Sequence, residues 1–192
     1  SAVFGRGTLT GAVNIVSRRP SNEFEGRIKA TIGSYGRKEL GAMVSGPITS
    51  WMSGEVGFKA YNFDGQYDNL AMPGSKLGSE KSGQLTGALF FKPTEDISAS
   101  VRYLHTDDND GLYPIALQRS TANNCFLTTR PYYCGTVGSP KSFALNTDKL
   151  LNPGTHRTAD RFFGSVDWDI LGSGYTVSYQ TGASEVYRST GT

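Results

Sequence analysis

The sequence lacks any run approaching 18 consecutive apolar residues, which excludes a transmembrane helix. It lacks a Lys/Arg run, and its 19 basic and 17 acidic residues leave a net charge of only +2. That balance argues against a nucleic-acid partner. No basic, apolar start of the signal-peptide kind opens it, since Ser1-Ala2-Val3-Phe4-Gly5 has neither feature. Histidine is scarce, and neither His105 nor His156 has a nucleophile or paired carboxylate at a recognisable spacing, so no enzyme is expected. No cofactor motif appears, and no metal site is expected. The only two cysteines, Cys125 and Cys134, form no CxxC and lie far from His156. In an oxidising compartment they would pair, closing a small loop that contributes roughly 2.5–3 kcal/mol. In a reducing one they would be free thiols.

Glycine is plentiful at 24, and Tyr and Phe number ten each, a composition that favours strands and turns. Period-two alternation marks seven segments, about 24–33, 38–46, 52–62, 82–92, 97–106, 161–170 and 175–184. One phase is uncharged and largely apolar, as in Leu85, Gly87, Leu89, Phe91 and in Phe162, Gly164, Val166, Trp168, Ile170. The alternate phase carries Arg27, Lys29, Glu39, Glu55, Lys59, Arg102, Asp167 and Asp169. Alternation alone cannot say which face is inside. A soluble barrel or sandwich buries the apolar phase, whereas a membrane barrel turns it to lipid.

Three features favour the membrane. Tight turns at Gly46-Pro47-Ile48-Thr49, Lys92-Pro93-Thr94-Glu95-Asp96 and Leu171-Gly172-Ser173-Gly174 alternate with long polar loops at about 63–81 and 107–160. Apolar-phase aromatics sit near expected strand ends, with Phe91, Trp168 and Tyr175 by short turns and Tyr103 and Phe162 by the longest loop. An odd number of up-and-down strands leaves both edges of the wall unpaired, which reads as part of a larger barrel. The expectation is therefore an all-β fold, an antiparallel transmembrane β-barrel of which about seven strands are present.

The first twenty residues do not alternate. Phe4-Gly5-Arg6-Gly7-Thr8-Leu9-Thr10-Gly11-Ala12-Val13-Asn14-Ile15-Val16-Ser17-Arg18-Arg19-Pro20 closely resembles the end of the plug domain in TonB-dependent outer-membrane receptors. Phe24-Glu25-Gly26-Arg27 and the turns at Gly33-Ser34-Tyr35-Gly36 and Ser45-Gly46-Pro47-Ile48 resemble that family's first barrel hairpin. The resemblance is specific over residues 4–48 and architectural beyond. It implies a boundary near residue 22, with the end of a plug and linker over 1–22 and the first part of the barrel wall over 23–192. It also implies an outer membrane of a Gram-negative bacterium, a TonB partner whose binding segment lies elsewhere, and a scarce cargo, most readily a ferric siderophore, with cobalamin or a glycan also open. The rivals are a passive porin and a soluble β-barrel or sandwich binding protein.

Candidate sites follow. Arg6 and Asn14 are placed at a plug–wall interface, with Arg6 facing a lumenal carboxylate such as Glu39 or Glu55; a structural arginine internal to the plug is the alternative. Aromatic and basic residues of the longest loop, Tyr113, Arg119, Arg130, Tyr132 and Tyr133, suit an anionic, partly aromatic ligand. They equally suit a solvated loop. Thr106-Asp107-Asp108-Asn109-Asp110-Gly111 looks briefly like a calcium loop but fails at its first and twelfth positions, Thr106 and Leu117. A solvated, acidic loop start is the plainer expectation.

Overall fold

The computed structural model describes residues 18–70, 72–114, 154–170 and 173–190, together with the backbone of 144–145. Every described element is a strand. They are β1 (Glu25–Ile32), β2 (Lys38–Thr49), β3 (Met52–Phe63), β4 (Tyr67–Asn69), β5 (Lys76–Leu77), β6 (Glu80–Phe91), β7 (Ile97–Gly111), β8 (Ala144–Leu145), β9 (Gly154–Ile170) and β10 (Tyr175–Thr190). Seven of these, in the order β1-β2-β3-β6-β7-β9-β10, form one antiparallel sheet, and β5-β4-β8 form a small second one. The seven long strands are the seven alternating segments.

The turns at one end are built by their own residues. Ser50-Trp51 joins β2 to β3, and the Trp51 ring stacks on Phe91 with centroids 6.2 Å apart. Pro47, which cannot donate to a ladder, sits where the β2–β3 register slips by one residue. At the opposite end Tyr35 and Gly36 both take positive φ, 58° and 68°, closing the β1–β2 hairpin through Arg37 N–H donating to Ser34 C=O at 3.2 Å. A side chain at position 36 would collide with Asp64, so glycine is required there.

Three strands run well beyond what the alternation indicates, among them β10, which continues to Thr190. β7 continues to Gly111 and β9 begins at Gly154, with Asp108 opposite Arg157 and Asp110 opposite Thr155. The stretch Thr106–Gly111 is thus paired strand, neither a solvated loop start nor a calcium loop. Among the described residues no group of three or more metal-ligating side chains gathers. The connection expected at about 107–160 narrows to 112–153 and itself contains β8.

The apolar phase forms a continuous exposed band on one face. It runs from Phe24 to Ile32, Leu40 to Ile48, Met52 to Ala60, Leu85 to Phe91, Ile97 to Tyr103, Phe162 to Ile170 and Tyr175 to Ala183, and within those ranges no charged residue faces that side. Among the described residues nothing covers it: Ile28 is 79% exposed and Val56 56%. Nine residues at a rise of about 3.3 Å give a band about 26 Å long measured along a strand.

The band does not follow the hydrogen-bonded rows. Its loop-side edge lies at Ile32, level with Lys38 and Asn62, on β1, but at Ala183, level with Phe162, Tyr103, Gly87 and Val56, on β10. Between β1 and β10 that edge slips by six residues in β3 terms, from Asn62 to Val56, over six strand steps, and the turn-side edge slips equally. One residue per strand, about 3.3 Å along for every 4.8 Å across, corresponds to strands inclined by roughly 35° to the band. Corrected for that incline, the band is about 22 Å tall.

Candidate functional site

The charged phase forms the opposite face, and the chain preceding β1 lies across it. From Arg18 to Ser21 it traverses the wall from β7 towards β1, held at nearly every residue. The Arg18 carbonyl accepts from Arg102 Nη2 at 2.7 Å, while its guanidinium reaches Glu25 at 2.6 Å. Arg19 lies over the Phe90 ring, 4.9 Å from the centroid, and 3.8 Å from Asp167. The Pro20 carbonyl accepts from Ser53 Oγ at 3.4 Å, and Ser21 N–H donates to Ser45 Oγ at 2.8 Å. Small side chains make the track: Ser45 and Ser53 are each 2% exposed and Ala88 6%. They are neighbours across β2, β3 and β6, since Ser45 pairs with Glu55 and Glu55 with Ala88.

Arg102 is the centre of this contact. Besides the Arg18 carbonyl it meets Glu55 at 3.3 Å, and the Glu55 side chain is only 8% exposed. Glu55, expected to face a plug arginine, is therefore matched by an arginine of the wall itself. Glu39 does not touch the crossing segment. Lys29 and Lys59 approach it at 3.6 Å each and Arg37 at 3.9 Å. Arg6 and Asn14 lie outside the described residues. Higher on β7 and β9, Arg157 forks onto Asp108 through Nε at 3.0 Å and Nη2 at 2.5 Å.

At the loop end the small sheet ties two connections together. Asp68 and Asn69 of β4 pair in parallel with Ala144 and Leu145 of β8, a contact between the stretches 64–79 and 112–153. Gly78 N–H donates to Leu112 C=O and Gly111 N–H to Ser79 C=O, both at 2.8 Å. Beneath them Leu77 is buried. Tyr113 stands beside this junction, 76% exposed, in a cleft with Phe63, Tyr67, Glu80 and Pro114. Of the ligand-contact candidates it alone lies among the described residues; Arg119, Arg130, Tyr132 and Tyr133 lie outside them, as do Cys125 and Cys134.

On the apolar face, the loop-side edge of the band is marked by Tyr103 and Phe162, whose rings are 4.7 Å apart. Immediately above, the same face turns polar. Tyr103 Oη donates to Asp160 at 2.5 Å, His105 lies 2.8 Å from the same carboxylate, and His156 is 3.7 Å from Asp107.

Sequence reasoning placed Arg102 on the charged phase but without its partners, and missed Arg18, Arg19 and the serine track. Small residues such as Gly41, Gly57, Ser100 and Ser165 recur on the same phase, so Ser45, Ser53 and Ala88 did not stand out in the sequence.

Comparison with known proteins yields no matching family model. Among solved structures, the fold is similar to a chain of the FpvAI–pyocin S2 complex, FpvAI being a TonB-dependent receptor. The TM-score is 0.59, with 16% identity over 87% of this chain. This chain spans 20% of that one. At that identity the likeness is one of fold: an all-β, antiparallel sheet of the β-barrel type, not closed into a barrel here.

Proposed function

We propose that this chain is the last part of a plug (residues 1–22) and the first part of the wall (23–192) of a TonB-dependent outer-membrane receptor. On this reading the receptor captures a scarce ligand, most readily a ferric siderophore, at the surface of a Gram-negative bacterium and imports it. It transports and does not catalyse. The single observation that carries the reading is the arrangement of the sheet's two faces. One is apolar in a band about 22 Å tall crossed by strands inclined by about 35°, close to the roughly 25 Å band and 35–45° tilt of membrane barrels. The other is charged and has the preceding segment of chain bound across it, as a plugged lumen requires. A soluble sandwich would bury the apolar band, whereas most of its large side chains, from Ile28 to Tyr179, are exposed among the described residues. The short turns then face the periplasm and the connections 64–79 and 112–153 face outward.

The experiment is conductance of the whole receptor in planar bilayers, with and without its plug, alongside TonB-dependent import in cells. The intact protein is expected to conduct little. Deleting the plug should open a wide polar pore and release import from its dependence on TonB, since mechanical work supplies what ligand binding alone cannot. High, steady conductance of the intact protein would favour the porin reading and overturn this one.

A further inference from the structure

The charges of the polar face are not evenly matched. Arg102 and Arg157 each hold a carboxylate at hydrogen-bonding distance, Glu55 at 3.3 Å and Asp108 at 2.5 Å. Towards the loop end of β1–β3, three cations share one carboxylate: Lys29, Lys59 and Arg37 surround Glu39 at 3.6, 3.6 and 3.9 Å. Glu80, which interacts with Tyr61 beside Lys59, is the next carboxylate on this face, so among the described residues three cations meet two carboxylates. All three cations make ion-pair contacts with Glu39, each longer than an ordinary charged hydrogen bond. All three remain open to solvent, with side-chain exposures of 70%, 50% and 49%, while Glu39 is 11% exposed.

The ladder gives this cluster a shape. Lys29 pairs with Gly41 and Gly41 with Lys59, so the two lysines flank a residue without a side chain. The nearest atom to a side chain added at Gly41 would be the Phe58 carbonyl oxygen, at 3.5 Å, so the notch floor is backbone. The two lysine backbones are two strand spacings apart, about 9.6 Å. Their long stems can close on an anion between them. Tyr61, next to Lys59 on this face and opposite Glu39, lies 5.7 Å from the Arg37 guanidinium and forms an aromatic side wall.

We propose that the notch between Lys29 and Lys59, over Gly41, binds the carboxylate groups of an anionic ligand, with Glu39 as the internal occupant that the ligand displaces. Cations outnumber carboxylates here even with Glu80 counted, so the two lysines can each meet a carboxylate of the ligand, and Arg37 and Tyr61 limit its upper side. Glu39 holds the lysines extended towards one point in the empty site, which reduces the ordering that binding must supply. The proposal rests on the reading of this face as a water-filled lumen. Its test does not depend on transport.

The test is isothermal titration of citrate into the whole receptor in detergent at low ionic strength, with inorganic phosphate as a second arm. Citrate should bind, and the K29Q/K59Q double variant should weaken it by about tenfold or more, as loss of two charge-assisted contacts implies. Glu39→Gln should instead tighten citrate severalfold, because the competing carboxylate is gone. A misfolded variant cannot produce that gain. Unchanged citrate affinity in K29Q/K59Q, or weaker binding in Glu39→Gln, would overturn the proposal. Equal affinity for phosphate would overturn the carboxylate assignment. Failure of import with citrate binding intact would count against the transport reading and leave the notch standing.

Discussion

The two faces of the seven-stranded sheet are made by the same backbone and the same ladders, yet they are held in different ways. The apolar face has almost no specific contacts beyond Tyr103 with Phe162 and Trp51 with Phe91; its side chains stand side by side and share one property, absence of charge. The polar face is a set of individual bonds between particular partners, such as Arg102 with Glu55 or Ser100 with Ser165 at 2.8 Å. The first face tolerates exchange of one apolar residue for another but not the wrong solvent. The second tolerates water but not the loss of one partner. On the proposed reading such a sheet is a boundary between two media, with residues chosen by medium on one side and by partner on the other.

That contrast can be broken most sharply by a charge on the wrong side. Arginine in place of Val101, near the middle of the apolar band, should destabilise the complete barrel in lipid vesicles by about 2–4 kcal/mol. Arginine in place of Gln180, on the polar face, should cost well under 1 kcal/mol on the same scale. Equal costs in folding titrations would mean that the faces are not separated by solvent. The next effect is on the polar side. Glu55→Gln leaves Arg102 beside a neutral partner and should cost about 2–3 kcal/mol, less than the 3–5 kcal/mol of a fully buried pair because Arg102 is 22% exposed. It should also loosen the Arg18 carbonyl, seen as faster amide exchange at Ser21. A cost no larger than that of a surface pair would show that Arg102 is held by the carbonyl alone. The smallest change sharpens the edge between the two regimes: Tyr103→Phe keeps the ring against Phe162 but removes the bond to Asp160, at about 1 kcal/mol by urea titration. A loss of several kcal/mol would place that bond inside the apolar medium instead of at its border.

The seven long strands were legible because period two repeats over enough residues to stand out, and because the uncharged phase is consistent from Ile28 to Tyr179. The true ends of β7 and β9 were not. Above Tyr103 and Phe162 the outward phase becomes His105, Asp107 and Asn109, and Asp160, Thr158 and His156, so alternation stops while the hydrogen-bonded ladder continues to Gly111 and Gly154. The pattern reports the medium, and the backbone pairs beyond it. β4, β5 and β8 have two or three residues each, too few for any period, and β8 finds β4 only through the rest of the fold. Of the candidate site, Glu39 and Glu55 were identified as lumenal carboxylates, but their partners were not. Which cation meets which carboxylate depends on the register of β2 on β3 and β3 on β6, and that information is not local to any one strand. The resemblance of residues 4–20 drew attention upstream, to Arg6 and Asn14, while the described contacts with the wall begin at Arg18.

The crossing segment has a mechanical consequence. Its attachments do not lie abreast: Arg18 is held from β7, Arg19 from β6 and β9, Pro20 from β3 and Ser21 from β2, before the chain turns into β1. Tension applied upstream of Arg18 would load them one after another, as a strip of tape is peeled, and not all at once. A seam loaded in series opens at a small, steady force and closes again from its anchored end, at Ser21. Pulled from residue 1 in a force spectrometer, the segment should therefore give a low plateau; one tall rupture would show that its bonds break together.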